Sequence, residues 1–191
     1  CRSPSECPAT PTCNTDAVVA GRQNPSNSVP TLAFRAKPPV VVVAIRTLRV
    51  SGAESLACHE AVELVSLGYE VEVWYQIDGP FRVELAKAGI KTVRVPLLSG
   101  RRRLRKLSRP ALGRLVVHTH SPSSSAFLRL VSLGIDGVAF IHTEHNVSAA
   151  YRPVIRVLHR LTASRIDELV AVSAAALETA PPAKRRRVLH H

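Results

Sequence analysis

An unbroken run of apolar, mostly β-branched residues occupies positions 40–45 of the sequence. A run of this kind is typical of a strand that is buried on both faces, as in a parallel sheet. The dipeptide Ser51-Gly52 then predicts a turn, and a helical spacing of apolar residues begins directly after it. A buried strand, a glycine turn and a helix together predict the first half of a βαβ unit.

Strand-like and helix-like segments alternate along the rest of the chain as well. The further predicted strands lie at residues 70–75, 91–95, 115–118, 138–142, 168–172 and 187–190. The predicted helices lie at residues 53–67, 81–88, 123–133, 149–161 and 173–179. Ser173 is expected to cap the last of these helices. This alternation predicts an α/β fold, a Rossmann-like doubly wound parallel sheet with helices on both faces.

The order of the strands decides where a ligand would bind. Doubly wound sheets bind ligands beyond the carboxyl ends of their strands, at the point where the strand order reverses. With the order 3-2-1-4-5, the first and fourth strands are neighbours at that reversal. The Ser51-Gly52 turn and the turn at residues 118–122 would then face each other across one crevice.

Composition divides the chain into two parts. Residues 1–39 are rich in Pro, Ser, Thr and Asn without a hydrophobic period, which predicts a disordered leader. Residues 40–191 carry the predicted elements and are expected to form one domain. The sequence begins with Cys1 and contains no methionine, so we expect a fragment or a processed product. Four cysteines without a convincing disulfide or zinc spacing favour a reducing, cytoplasmic compartment.

The formal net charge is +12, which favours anionic partners. A basic run falls between the third and fourth predicted strands, and Pro110 should break its helix. We considered three interpretations of this run: a solvated surface, a patch for an anionic membrane, or a nucleic-acid contact. Nucleic acid is the least favoured, because aromatic residues are only 4% of the chain and are not interleaved with the basic ones. The membrane or anion patch would comprise Arg101, Arg102, Arg103, Arg105 and Lys106.

Two polar, histidine-bearing segments follow the fourth and fifth predicted strands, at residues 118–122 and 142–146. Strand alternation predicts that His118 and His120 point the same way, with Thr119 opposite. Imidazoles exchange hydrogen bonds with hydroxyl groups near neutral pH, and the carboxylate of Glu144 can accept from sugar or alcohol groups. The alternative is that some of these histidines only cap helices or fill the rim of the sheet.

A zinc site is a competing interpretation of the same segments, because imidazole and carboxylate groups are common zinc ligands. The permissible ligands would be His118, His120, His142, Glu144 and His145. Neither an H-E-x-x-H motif nor a cysteine pair supports such a site, so no metal is expected. The Ser51-Gly52 turn is also not a dinucleotide fingerprint, which needs three glycines. Gly52 either lets a ligand approach the backbone or serves only as a tight turn.

Five short motifs follow one another along residues 40–191. They are Ser51-Gly52-Ala53-Glu54, Leu67-Gly68-Tyr69-Glu70-Val71, Val116-Val117-His118-Thr119-His120-Ser121, Thr143-Glu144-His145 and Asp167-Glu168-Leu169-Val170-Ala171-Val172-Ser173. In order and spacing they resemble the motifs of the family-4 glycosyltransferases, which have the GT-B fold. The first motif departs from the family's Gly-Gly-x-Glu at Ser51, which adds a Cβ where that family has glycine.

The resemblance implies the amino-terminal, acceptor-binding half of a GT-B enzyme. It also implies that a second half, which would hold the nucleotide-sugar donor, is missing from this chain. In such an enzyme His120 would contact the transferring sugar as the catalytic residue, and Gly52 would approach the donor phosphates or the acceptor. The substrate-binding set would be Ser51, Gly52, His118, Ser121, Glu144 and His145. The family is typically retaining and independent of metals, so no cofactor is expected beside the nucleotide-sugar.

Two functions therefore stay open. The first is a glycosyltransferase fragment, inactive alone, whose full enzyme transfers a sugar to a saccharide or lipid-linked acceptor. It would be cytoplasmic, with a peripheral contact to the inner face of the membrane as a further expectation. The second is a non-catalytic Rossmann-like binding module whose basic surface binds anionic ligands or membranes.

Overall fold

A computed structural model describes residues 38–96, 99–108 and 114–189 of the chain. Its strands form one seven-stranded parallel sheet in the order β3-β2-β1-β4-β5-β6-β7. The strands are β1 (Val40–Ala44), β2 (Glu70–Tyr75), β3 (Lys91–Arg94), β4 (Leu115–Thr119), β5 (Val138–Glu144), β6 (Glu168–Ala171) and β7 (Arg185–Val188). The predicted doubly wound sheet and the pairing of the first strand with the fourth are confirmed. The leader predicted at residues 1–39 falls almost wholly outside the described residues.

The helices alternate with the strands as the pattern predicted. They are α1 (Gly52–Ser66), α2 (Phe81–Lys87), α3 (Ser99–Leu107), α4 (Pro122–Val131), α5 (Pro153–Leu161) and α6 (Ala174–Thr179), with 3₁₀ turns at Ser148–Ala150 and Ala163–Arg165. Proline stands at the first position of α4 and of α5, where its missing N–H costs no hydrogen bond. The cap predicted at Ser173 is confirmed, because its hydroxyl accepts from the amide of Ala176 at 3.1 Å. None of the helices in the described residues is long and apolar enough to cross a membrane.

The burial of β1 on both faces explains why its sequence is a continuous apolar run. Val41 and Val43 belong to one core cluster, which also contains residues of α1 and α2. Val40 and Val42 belong to a second cluster, with residues of α3 and α4. Because both faces of the strand are covered by helices, every one of its side chains is buried.

Strand β2 carries a buried carboxylate that ties α3 to the sheet. Oε2 of Glu72 accepts from Nε1 of Trp74 at 2.9 Å, and Oε1 accepts from Nη2 of Arg103 and Nζ of Lys91 at the same distance. Burial acts to raise the pKa of Glu72, but these hydrogen bonds outweigh it and hold the pKa below its ordinary value. One arginine of the basic run therefore has a structural partner.

A second arginine of that run is also partly used inside the fold. Arg101 donates to the carbonyl oxygens of Val131 and Leu133 at 2.9 and 2.7 Å, which joins α3 to the end of α4. Residues 109–113, including the predicted helix break at Pro110, lie outside the described residues. The exposed members of the predicted patch are Arg102, Arg105 and Lys106.

Replacing Gly79 by alanine should destabilise the fold. An added Cβ would lie 2.3 Å from the backbone oxygen of Leu48, and that backbone is held in turn by a 3.0 Å hydrogen bond from its own amide to Ile77. We expect Gly79→Ala to lower the free energy of unfolding by about 1–3 kcal/mol, as overpacking does elsewhere. Urea unfolding followed by circular dichroism measures this change. Gly52→Ala is the control: a Cβ there meets nothing within 4 Å, so stability should change little, and equal effects would contradict the steric argument.

Candidate functional site

The candidate site lies at the carboxyl ends of β1 and β4, where the strand order reverses. The amide of His120 donates to the carbonyl oxygen of Ala44 at 3.0 Å, so the residue after β4 is held beside the last residue of β1. The Ser51-Gly52 turn precedes α1, which follows β1 along the chain. Both predicted turns therefore belong to the same pair of neighbouring strands.

Helix α1 contributes a carboxylate to this region. Oε2 of Glu60 lies 2.9 Å from Nε2 of His120, and its other oxygen contacts Nδ1 of His118. Nε2 of His118 lies 2.8 Å from Oγ1 of Thr143, and Nδ1 of His120 lies 3.3 Å from Nε2 of His145. We call these five residues the Glu60 cluster. One carboxylate thus contacts two imidazoles at the end of β4, and these imidazoles contact two side chains at the end of β5.

The electrostatics keep the carboxylate charged and the deepest imidazole neutral. Burial acts to raise the pKa of Glu60, but hydrogen bonding and charge interaction with His118 and His120 lower it to about 2. Burial lowers the pKa of His120 to about 4, against the opposing influence of Glu60. Nε2 of His120 is close to Glu60 but not aligned with it, so it makes no well-directed hydrogen bond within the described residues. At neutral pH the carboxylate of Glu60 is therefore ionised and the imidazole of His120 is neutral.

Exposure orders the members of the cluster by depth. The side chain of His120 is 1% exposed, whereas that of Glu60 is 24% exposed. His145 is partly exposed as well. A ligand at this edge would therefore meet Glu60 and His145 before His120, the residue that the resemblance assigned to the transferring sugar. In this structure His120 lies beneath Glu60 and His145 and contacts both of them.

The remaining residues predicted on this edge are close to the surface. Ser51 and Gly52 are exposed at the start of α1, and the hydroxyl of Ser51 donates to Glu54. The fold itself does not require glycine at position 52, because a Cβ there would meet nothing within 4 Å. Ser121 precedes α4, with its hydroxyl 2.9 Å from that of Ser123. These positions border the strand ends near which the Glu60 cluster lies.

Glu144 does not join the other predicted residues, which corrects the sequence-based grouping. Alternation along β5 directs Thr143 toward His118, so Glu144 lies on the opposite face of the sheet. Its Oε2 lies 3.6 Å from Nε2 of both His142 and His159, and Tyr151 donates to its other oxygen. Burial acts to raise the pKa of Glu144, but these contacts lower it well below its ordinary range. The carboxylate of Glu144 is buried and makes its contacts inside the fold.

Arg129 completes the group around Glu144. Its Nη2 lies 2.9 Å from Nδ1 of His159, and burial lowers its pKa to about 9 against the pull of Glu144. We call Arg129, His142, Glu144, Tyr151 and His159 the Glu144 cluster. An arginine charge thus offsets the carboxylate charge in the interior, as burial of a charge demands.

Both clusters contain three groups that could ligate a metal ion within 4.8 Å of one another. Spacings of 3.6 Å around Glu144 approach the edge of about 3.4 Å in a tetrahedral zinc site. Arg129 can only donate, however, so its contact places the proton of His159 on Nε2, the atom that a metal would need. Around Glu60 the 2.9 Å spacing between Oε2 and Nε2 of His120 is shorter than that edge. The donor chemistry of both clusters favours protons over a metal ion.

Sequence reasoning did not select Thr143 as a site residue, and it missed Glu60 altogether. Glu60 lies one position before Ala61 and three after Ala57, both of which are buried on the sheet-facing side of α1. The sequence signal for Glu60 was a charged side chain among the apolar positions of α1 that face the sheet. A charged residue at such a position needs a polar partner. The partner itself could not be read from α1.

Comparison with known proteins adds family information to this geometry. Residues 51–190 match the family model described as glycosyl transferase 4-like domain. No curated protein matches the chain significantly.

Solved structures show where the fold occurs. Alr3699/HepE of Anabaena, in a complex with UDP, has a TM-score of 0.64 at 12% identity, over 79% of this chain and 43% of that one. A glycosyltransferase from Rickettsia africae has a TM-score of 0.55 at 17% identity, over 80% of this chain and 43% of that one. At such identities the likeness shows the fold alone, and the chain spans less than half the length of either protein.

Replacing Glu60 by glutamine should weaken the fold without changing its shape. The amide keeps the size of the side chain but removes the charge that raises the pKa of His120. We expect Glu60→Gln to cost about 1–3 kcal/mol of unfolding free energy, the usual cost of depriving buried polar groups of a partner. The pKa of His120, followed by NMR, should fall further. Glu63→Gln, on the exposed side of the same helix, should alter neither quantity.

Stability should fall when the pH drops below about 6.5. The pKa values of His120 and His142 are lowered by burial to about 4, so the unfolded chain binds protons first and the folded state loses stability from pH 6.5 to pH 4. Protonation of Glu60 lowers the stability further as the pH falls from the pKa that Glu60 has in the unfolded chain to about 2. Urea unfolding at pH 7, 5.5 and 4 measures the trend. Constant stability over that range would contradict the burial of neutral imidazoles.

Proposed function

Because the chain belongs to the family of glycosyl transferase 4-like domains, we propose that it is the acceptor-side half of an enzyme using a nucleotide-sugar. The full enzyme would transfer the sugar to a saccharide or lipid-linked acceptor in the cytoplasm. The observation that carries this proposal is the Glu60 cluster at the reversal of strand order, the place where doubly wound sheets bind ligands. The complexes of Alr3699/HepE with UDP and with UDP-glucose support the donor class.

The chemistry of the cluster suits a polyhydroxylated ligand. An ionised carboxylate accepts hydrogen bonds from sugar hydroxyl groups, and Glu60 stays ionised at neutral pH. His118 and His120 fix the position of that carboxylate by contacting one oxygen each. His145, from the end of β5, supplies a partly exposed imidazole to the same edge. Such fixed polar groups give a sugar site its orientation.

The start of α1 supports the contact with a nucleotide-sugar. The first amides of a helix have no partners within the helix, and the helix dipole favours a negative charge there. At Gly52 no side chain keeps a ligand from the backbone. In this proposal the turn receives the donor phosphates or the acceptor, while the Glu60 cluster receives sugar hydroxyls.

A non-catalytic binding module is the second candidate, and one surface favours it. Arg94 of β3 borders a groove of about 830 Å³ with α3, and the exposed cations of that helix line the groove. Arg102, Arg105 and Lys106 are free to meet phosphates there, since they are the exposed members of the basic run. A module of this type would bind an anionic ligand or the inner face of the membrane without transferring sugar.

The deciding test is sugar transfer by the product of the whole reading frame. Radiolabelled UDP-sugars are incubated with lipid and oligosaccharide acceptors, and labelled products are counted. We expect transfer by the wild type and a loss of about 10²-fold in kcat for His120→Ala, since Glu60 and His145 lose the group between them. His59→Ala, an exposed histidine on α1, is the control.

The outcomes separate the two candidates. Binding of UDP-glucose without transfer to any acceptor would favour the binding module. Unchanged turnover in His120→Ala would remove the Glu60 cluster from the mechanism. A rise in KM with unchanged kcat would assign the cluster to ground-state binding.

A further inference from the structure

Helix α5 has its apolar side on the outside. Its one buried residue is His159, which belongs to the Glu144 cluster. Val154, Val157 and Leu161 are 68%, 54% and 74% exposed. An ordinary surface helix turns such residues toward the core and its charges toward water. Exposed apolar surface of this kind marks a contact with a partner or a membrane.

The exposed residues form a continuous stripe. At 100° per residue, Val154, Val157 and Leu161 project within about 60° of one another. The stripe extends onto α4, where Leu130 is also exposed. Between the two helices Leu130 and Leu158 line an apolar groove of about 640 Å³. The apolar surface is thus broader than one helix.

Arginines border the stripe on one side. Arg156 and Arg160 are one turn apart on α5, and Arg152 lies directly before the helix, one turn ahead of Arg156. All three are exposed. Glu144 of β5 reaches α5 at the buried His159. Helix α4 and the 3₁₀ turn Ala163–Arg165 also pack against α5, and none of these three helical elements contains Asp or Glu along its described length. Nothing acidic on them offsets the arginines.

The apolar stripe and the arginines beside it together favour one kind of partner. We propose that α5 docks on an anionic membrane surface, with Val154, Val157 and Leu161 entering the acyl boundary and the arginines contacting lipid phosphates. An apolar stripe beside a basic one is the pattern of helices that lie in the membrane interface. Anionic lipid attracts the arginines, whereas a second copy docked symmetrically on the stripe would bring like charges together. The membrane contact then lies on α5 instead of on α3, whether or not the chain transfers sugar.

Vesicle sedimentation with the full chain tests the proposal. Vesicles of phosphatidylcholine alone are compared with vesicles that also contain phosphatidylglycerol. We expect binding only to the anionic vesicles, and a loss of about tenfold or more in the double variant Val154→Asp, Leu161→Asp. Val83→Asp is the matched control, since Val83 is an exposed valine on α2. Circular dichroism checks that each variant folds.

A second measurement reports insertion directly and does not need a disruptive charge. Leu161→Trp should show blue-shifted fluorescence on anionic vesicles and quenching by brominated lipid chains. Val83→Trp should show neither change. The native Trp74 is buried beside Glu72 and contributes a constant background.

Three results would overturn the proposal. The first is absence of binding to anionic vesicles. The second is binding that the aspartate variants leave intact but that Arg102→Gln with Arg105→Gln abolishes, which would return the contact to α3. The third is a wild-type dimer that the aspartate variants dissociate, which would make the stripe an interface between copies. None of these results bears on the sugar-transfer assay.

Discussion

The parallel pairing of β1 with β4 is the constraint on which the rest of the structure depends. Five residues of each strand are in register, from Val40 opposite Leu115 to Ala44 opposite Thr119. The amide of His120 extends the pairing by one further hydrogen bond. Because the sheet grows outward in both directions from this pair, the segments that follow the two strands meet at one place. Glu60 contacts His118 and His120 there because α1 and β4 both lie beside β1.

The pleat of the sheet separates the polar residues of β4 and β5 into two groups. His118 and Thr143 face the side of α1, whereas Thr119, His142 and Glu144 face the opposite side. Each group centres on one ionised carboxylate held by imidazoles. The two carboxylates differ in their surroundings: Glu60 is partly open to solvent, while Glu144 is enclosed with Arg129. That difference makes the first a candidate site and the second part of the interior.

The arginines that give the chain its large positive charge have several different roles. Arg103 holds α3 against Glu72, Arg101 joins α3 to α4, and Arg129 neutralises the interior around Glu144. Arginine suits these places because its planar group donates several hydrogen bonds and stays charged. Exposed cations that remain on α3 and α5 are available to an anionic partner.

The sequence by itself determined the kinds of elements, their order and the covered faces of the sheet. Those properties follow from local patterns. An apolar run such as residues 40–45 favours a strand that is buried on both faces, and Ser173 caps α6 by accepting from the nearby amide of Ala176. It also indicated the edge where histidines gather. Only the tertiary structure decided which of them share a site. Glu60 and His118 are 58 positions apart, and their contact depends on how α1 is rotated against the sheet. The separation of Glu144 and the depth of His120 likewise depend on long-range packing, which no local pattern encodes.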